Sequence, residues 1–268
     1  MKALILTGFG INCEEEMAAA YKLAGGQSDI VHLNDVLNGV CSIHDYDIIN
    51  FPGGFSFGDD LGSGKVLSNK IKFKRLSNLK TLIDELKIFL NDGKYILGIC
   101  NGFQMLVKMG ILPNTECSNE FKQEVTLTRN DGGTFINKWS LCHVTPQNNS
   151  PFLKGLEKIW LPIRHGEGKL VARDENVLKK LTQKQHCCLT YEENPNGSVL
   201  NCAGLTNATG QVLGMMPHPE AFLTLYNHPD WAHMKRENPH LSDEGDGLKI
   251  FKNIVRHIDE KLLAKRKS

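Results

Sequence analysis

Residues 95–110 read Tyr95-Ile96-Leu97-Gly98-Ile99-Cys100-Asn101-Gly102-Phe103-Gln104-Met105-Leu106-Val107-Lys108-Met109-Gly110. Tyr95 to Ile99 is a short apolar run of the kind buried on both faces of a parallel sheet. Asn101 to Met109 reads as a helix, with Gly110 just past its end. Between them lies Gly98-Ile99-Cys100-Asn101-Gly102, a Gly-x-nucleophile-x-Gly elbow with cysteine at the centre. A nucleophile at a strand-to-helix junction occupies a tight, strained turn, so the residues two positions either side must be small. The turn aims the sulfur away from the sheet. It also sets the sulfur at a helix N-terminus, where unpaired N–H groups favour a thiolate.

Working outward, the first hundred residues alternate strand-like and helix-like patterns, as parallel sheets with crossover helices do. Ala3 to Thr7 reads as a strand and Gly8 to Asn12 as a turn. Met17, Ala20, Tyr21 and Ala24 recur at the spacing of one helical face, closed by Gly25-Gly26. Asp29 to Leu33 and Asp47 to Phe51 are the next strands, the second broken by Pro52-Gly53-Gly54. Leu79, Leu82, Ile83, Leu86, Phe89 and Leu90 share one face of a longer helix.

Beyond residue 120 the pattern is β-rich. Glu124 to Arg129, the turn Asn130-Asp131-Gly132-Gly133, and Thr134 to Ser140 read as a hairpin. Further strands are expected at Ile159 to Arg164, Val199 to Leu205 and Val212 to Met216. Residues 224–247 read as a polar excursion before a final helix carrying Leu248, Phe251, Ile254, Val255 and Ile258.

Composition excludes several function classes. The 268 residues carry a net charge of +1, so no global field favours nucleic acid or a membrane surface. The basic run Lys70 to Arg75 reads as a solvated face, or as a dock for an acidic partner. No apolar stretch has the length of a bilayer span or a secretory leader, which leads to the expectation of a cytosolic protein. Its eight cysteines (Cys13, Cys41, Cys100, Cys117, Cys142, Cys187, Cys188 and Cys202) form no Cys-x-x-Cys pair, so zinc knuckles and thioredoxin-like motifs are absent. Gly8 to Cys13 lacks the third glycine of a dinucleotide fingerprint, and Gly62-Ser63-Gly64-Lys65 fails the P-loop spacing.

A thiolate nucleophile requires a base and an oxyanion hole. Met216-Pro217-His218-Pro219-Glu220 follows a strand, and its prolines restrict the backbone. On an extended chain His218 and Glu220 point to one side, so the carboxylate can orient the imidazole. His165, in Arg164-His165-Gly166-Glu167-Gly168, is the rival base. Gly53 and Gly54, after another strand, can turn backbone N–H groups toward a ligand, and the Asn101 N–H would be the second donor. These loops converge where open α/β sheets bind ligands.

Gly98 to Gln104 together with His218-Pro219-Glu220 resembles the class I, triad-type glutamine amidotransferases. The resemblance narrows to the glutaminase subunits of phosphoribosylformylglycinamidine synthases. The strings that carry it are Gly10-Ile11-Asn12-Cys13-Glu14, Pro52 to Asp59, Arg164 to Gly168, Asn194-Pro195-Asn196-Gly197-Ser198 and Leu213 to Glu220. It implies one amidotransferase domain over residues 1–268, with a flavodoxin-like, open, mostly parallel sheet flanked by helices and an additional β-rich portion. Cys100 would attack the glutamine amide, His218 move protons and Glu220 orient it, while Gly54 and Asn101 bind the oxyanion. Gly53, Phe55, Gln104, Asn130 and Phe135 would hold glutamine, and His165 and Glu167 would lie near a partner interface.

The implied partners are a synthetase subunit, which takes ATP, magnesium and formylglycinamide ribonucleotide, and a small bridging subunit. No cofactor is expected in this chain itself. Ala221 stands where the family has Arg, and Asp60 to Lys65 departs from its usual Tyr-Leu-Arg run; both departures fall at docking or supporting positions. The competing readings are a glutaminase serving another synthetase, a related Cys-His hydrolase, or a non-catalytic glutamine-sensing scaffold.

Overall fold

In a computed structural model, which describes residues 1–59, 61–76, 78–118 and 120–267, the chain opens with β1 (Lys2–Thr7), α1 (Glu14–Leu23), β2 (Gln27–His32) and α2 (Leu33–Leu37). β3 (Ile48–Phe51), α3 (Lys65–Phe73), α4 (Leu82–Asn91), β4 (Tyr95–Ile99) and α5 (Asn101–Met109) follow. Then come β5 (Val125–Thr128), β6 (Ile136–Val144), β7 (Lys158–His165) and β8 (Lys169–Ala172). α6 (Glu175–Gln183), β9 (Cys187–Tyr191), β10 (Cys202–Thr206) and β11 (Val212–Met215) lead to α7 (Trp231–Glu237) and α8 (Asp246–Lys267).

One nine-stranded sheet runs β2-β1-β3-β4-β11-β10-β9-β6-β7. Its first five strands are parallel, in the flavodoxin-type order, and the other four are antiparallel additions. The β-rich portion therefore extends the main sheet, and only β5 and β8 stand apart as a two-stranded ribbon. β4 is buried along its whole length, as its apolar run requires. Among the described residues no helix is long and apolar enough to cross a membrane.

The expected hairpin over residues 124–140 does not form. β5 pairs with β8, and β6 pairs with β7 and β9, so Asn130–Gly133 is a turn between strands that part company. Turn chemistry is local, whereas the choice of partner strand is set by distant packing. Leu79 lies outside the helical face assigned to it: it is exposed, with φ +66°, and the helix starts after Thr81. Thr81 and Asp84 form a reciprocal capping box there, which satisfies two first-turn donors. Leu33 begins α2 instead of ending a strand, and Val199–Asn201 is a short turn before β10. Within the run that departs from the family pattern, Asp60 lies outside the described residues.

Strand register positions the chemistry. Leu213, Gly214 and Met215 of β11 pair in parallel with Leu97, Gly98 and Ile99 of β4. The chain therefore leaves both strands at the same end and level, and the Cys100 N–H donates to the Met215 carbonyl at 2.8 Å. The loops after β1 and β3 open at that end too, because all these strands are parallel.

Candidate active site

Cys100 sits on the elbow with φ +50° and ψ −103°, a strained conformation for a residue with a Cβ. The flanking glycines permit it. A Cβ on Gly102 would stand 1.8 Å from the Phe51 carbonyl oxygen of β3, so α5 packs against that strand only without a side chain there. Gly98 is as crowded: its Cβ would meet a Leu106 methyl at 2.5 Å. Cys100 is 6% exposed, and its Sγ contacts the Arg164 carbonyl at 3.6 Å. As N-cap of α5, it precedes the helix's unpaired first-turn N–H groups, Asn101 included.

His218 and Glu220 emerge from β11 and are 3% and 2% exposed. Glu220 Oε1 lies 2.6 Å from His218 Nδ1, which leaves Nε2 as the free nitrogen. Neither Nε2 nor Glu220 Oε2 has a hydrogen-bond partner within the chain, an unusual state for groups buried this deeply. Burial opposes a charge on His218, but the Glu220 carboxylate and the thiols of Cys100 and Cys13 outweigh it and hold its pKa well above the ordinary value. The turn rests on the start of α8, where a Cβ on Gly247 would come within 1.9 Å of the Pro219 carbonyl.

The rival base is placed differently. His165 Nδ1 faces Asn130 Oδ1 at 3.1 Å, with no carboxylate bonded to its ring. Burial, and then the charge of His218, push its pKa down to about 4. His165 is a neutral neighbour of the site, and His218 alone of the two has the acid partner a triad base uses.

The loop after β3 closes the other side. Asn12 N–H bonds the Gly53 carbonyl at 3.1 Å, and Phe55 N–H bonds the Gly10 carbonyl at 2.9 Å. Gly54, between these two bonds, uses its own N–H in neither, so the donor is left to a ligand. Its φ of +146°, with a hypothetical Cβ 2.5 Å from the Gly10 carbonyl oxygen, demands glycine. Phe55 and Phe135, both about half exposed, form an aromatic wall with ring centroids 6.2 Å apart.

Gln104 and Asn130 are buried with their amides engaged inside the chain. Gln104 Nε2 donates to the Glu167 carbonyl at 2.5 Å, and its Oε1 accepts from Asn101 Nδ2 at 3.0 Å. Asn130 Nδ2 donates to the His165 carbonyl at 2.8 Å and its Oδ1 accepts from Gly168 N–H at 3.1 Å. Gln104 thus pins the 165–168 loop to α5, and Asn130 pins it to the turn after β5. Glu167 extends that tie, its Oε2 accepting from the Ser63 N–H at 3.0 Å.

Two features escape sequence reasoning. Cys13 has its Sγ within 4.8 Å of ligand atoms of His218 and Glu220, although some 205 residues separate it from them. The 224–247 excursion is anchored beside the His218–Glu220 turn: Trp139 packs edge-on to Phe222 at 4.9 Å and tilts onto His228 at 4.4 Å. Neither neighbourhood has a local signature in the chain.

Residues 1–258 match the family model of the CobB/CobQ-like glutamine amidotransferase domain. The phosphoribosylformylglycinamidine synthase subunit PurQ of Dehalococcoides mccartyi is 38% identical over 263 residues, spanning 96% of this chain and 97% of its own length. That of Methanococcus maripaludis is 38% identical over 280 residues, spanning 97% of this chain and 99% of its own. In the solved structure of PurLQS from Thermotoga maritima, one chain superposes with a TM-score of 0.72 at 30% identity, covering 96% of this chain and 98% of that one. A glutamine amidotransferase from the same organism shares the fold at a TM-score of 0.56 and 15% identity, covering 96% and 97%. The chain belongs to the CobB/CobQ-like glutamine amidotransferases and, within them, to the PurQ subunits of phosphoribosylformylglycinamidine synthase.

Proposed function

We propose that the chain hydrolyses glutamine and passes the ammonia to a synthetase subunit making formylglycinamidine ribonucleotide in purine biosynthesis. The observation that carries this reading is the buried His218–Glu220 pair beside a cysteine on a strained elbow, in a chain similar to PurQ over nearly its full length. Cys100 gives its proton to His218 Nε2, and the thiolate attacks the amide carbon. The Gly54 and Asn101 N–H groups receive the oxyanion. Collapse of that intermediate expels ammonia, protonated by His218, and leaves a glutamyl thioester. Water, deprotonated by the same imidazole, releases glutamate. Glu220 steadies the imidazolium through Nδ1.

Gly53, Phe55 and Phe135 line the glutamine approach in this reading, while Gln104 and Asn130 act through the loop they pin. ATP and magnesium are assigned to the synthetase, with no cofactor in this chain. A small bridging subunit completes the assembly, and a cytosolic location follows. The test measures glutamate release by the chain alone, with the synthetase of the same source, and with Cys100→Ala. Release should rise with the synthetase and vanish in the variant, while ammonia-dependent synthesis by the complex survives. Release indifferent to that synthetase would assign the glutaminase to another partner. No release in any mixture would favour the scaffold reading.

A further inference from the structure

We propose that Cys13, His218 and Glu220 form a binding site for a thiophilic divalent cation, zinc in the first instance, whose occupancy shuts the active site down. Among the described residues this is the one cluster of three histidine, cysteine or acidic side chains whose ligand atoms all lie within 4.8 Å of one another. For any three such atoms a point exists no more than about 2.8 Å from each, against roughly 2.0–2.3 Å for zinc bound to nitrogen, oxygen and sulfur. Side-chain shifts of about 0.5–0.8 Å close that gap. One sulfur, one imidazole nitrogen and one carboxylate make a borderline-soft set, which suits zinc and is wrong for magnesium or calcium.

Independent observations support an exogenous ligand here. Glu220 Oε2 is buried without a partner, so the site holds donor capacity that the chain does not use. Gly53 keeps the space between the ligands clear, since a Cβ there would press on His218 Cε1 at 2.8 Å and Cys13 Sγ at 3.1 Å. Cys13 itself is half-buried, which gives the ion an entry on one side. Its thiol donates to the exposed Asn12 carboxamide oxygen at 3.3 Å.

Burial raises the Cys13 pKa, so the residue stays a thiol until a metal displaces its proton. Binding therefore releases a proton and tightens as pH rises. An imidazole that has given its lone pair to a metal cannot take a proton from Cys100. The binding claim stands apart from the glutaminase reading, whereas the inhibition claim rests on it.

Cobalt(II) serves as the spectroscopic probe, because a thiolate–cobalt bond gives a charge-transfer absorption in the near ultraviolet. Chelator-stripped Cys100→Ser chain should bind one Co²⁺ with that absorption and lose it to Zn²⁺ but not to Mg²⁺. Adding Cys13→Ser, or in parallel Cys13→Ala, should abolish the absorption. Persistence of the band without Cys13 would overturn the assignment, as would its absence when Cys13 is present and only Cys100 is replaced. In the otherwise wild-type complex, Cys13→Ser should raise the half-inhibitory Zn²⁺ concentration at least tenfold, and an unchanged value would overturn the inhibitory role. Failure of the glutaminase reading would appear separately, as no glutamate release from the stripped wild-type complex before any metal is added.

Discussion

His165 and His218 have the same chemistry and opposite titration, and the neighbours of each ring decide which. His218 has the Glu220 carboxylate on Nδ1, and its raised pKa contributes stability that is present below about pH 6.5 and lost as pH climbs. His165 has only the Asn130 carboxamide, and burial pushes its pKa down to about 4. The unfolded chain protonates this histidine below about pH 6.5 while the folded chain refuses the proton until about pH 4. Stability is therefore lost as pH falls through that window, by about 3 kcal/mol from this group. His165→Gln should flatten the wild-type slope of urea midpoint against pH between 6.5 and 4 and leave it alone above 7. Parallel slopes for the two proteins would show that His165 titrates normally in the fold. The elbow was readable in the sequence because its glycines are steric necessities, and steric necessities are local. Cys13 was not readable as a neighbour of His218, because only the ordering of the parallel strands brings the loops after β1 and β11 together.

At the scale of elements, the strand–elbow–helix unit was legible to its end residues, with β4 at Tyr95–Ile99 and α5 at Asn101–Met109. An uninterrupted apolar run, a forced turn and a terminal glycine leave little freedom. α3 escaped notice because Leu67 and Ile71 are its buried apolar residues in a stretch dominated by lysine and polar side chains. α6 was missed for the same reason, with Val177 and Leu181 alone buried. The hairpin over residues 124–140 was misread because a turn says where a chain bends but not which strand it next meets. The close seat of α5 on β3 makes its own prediction. Gly102→Ala puts a methyl against a main-chain oxygen that cannot rotate away, so α5 must lift from the sheet and carry Cys100 with it. Overpacking of this kind costs on the order of 1–3 kcal/mol or more, and misplacing the nucleophile should reduce glutamine hydrolysis at least a hundredfold. Gly132→Ala is the control: its Cβ would find nothing closer than 3.8 Å, and its melting temperature and activity should stay near wild type. Equal effects of the two substitutions would refute the packing argument.

Across the whole molecule, the parallel and antiparallel halves are joined by more than covalent continuity. β11 pairs with β4 on one side and β10 on the other, so the backbone ladder crosses the boundary unbroken. α8 spans both halves: Asp246 accepts from the Trp160 N–H at 3.0 Å, Asn253 donates to the Phe152 and Lys154 carbonyls, and Asp259 pairs with the N-terminal amine at 2.6 Å. Tyr21 of α1 meets Phe251 of α8 edge-on at 5.2 Å and donates to Asn50 of β3 at 2.7 Å. Neither half can open without exposing the other's buried surface, which makes a single cooperative transition the expected behaviour. The tryptophans supply the test, because Trp139, Trp160 and Trp231 all lie in the second half, whereas backbone dichroism reports both. Urea unfolding followed by fluorescence and by far-ultraviolet dichroism should give superimposable curves. Asn253→Ala should move both to lower urea together, by an amount equivalent to about 1–3 kcal/mol, since it strips the donor from two main-chain carbonyls held beneath α8. An earlier fluorescence transition would mean that the antiparallel half is a separately unfolding unit. Cys100 and His218 would still share the parallel unit, but the Arg164 carbonyl against Cys100 Sγ and the Pro162 carbonyl that accepts from the His218 N–H belong to the other, so the walls of the site would depend on how well α8 keeps the two units in register.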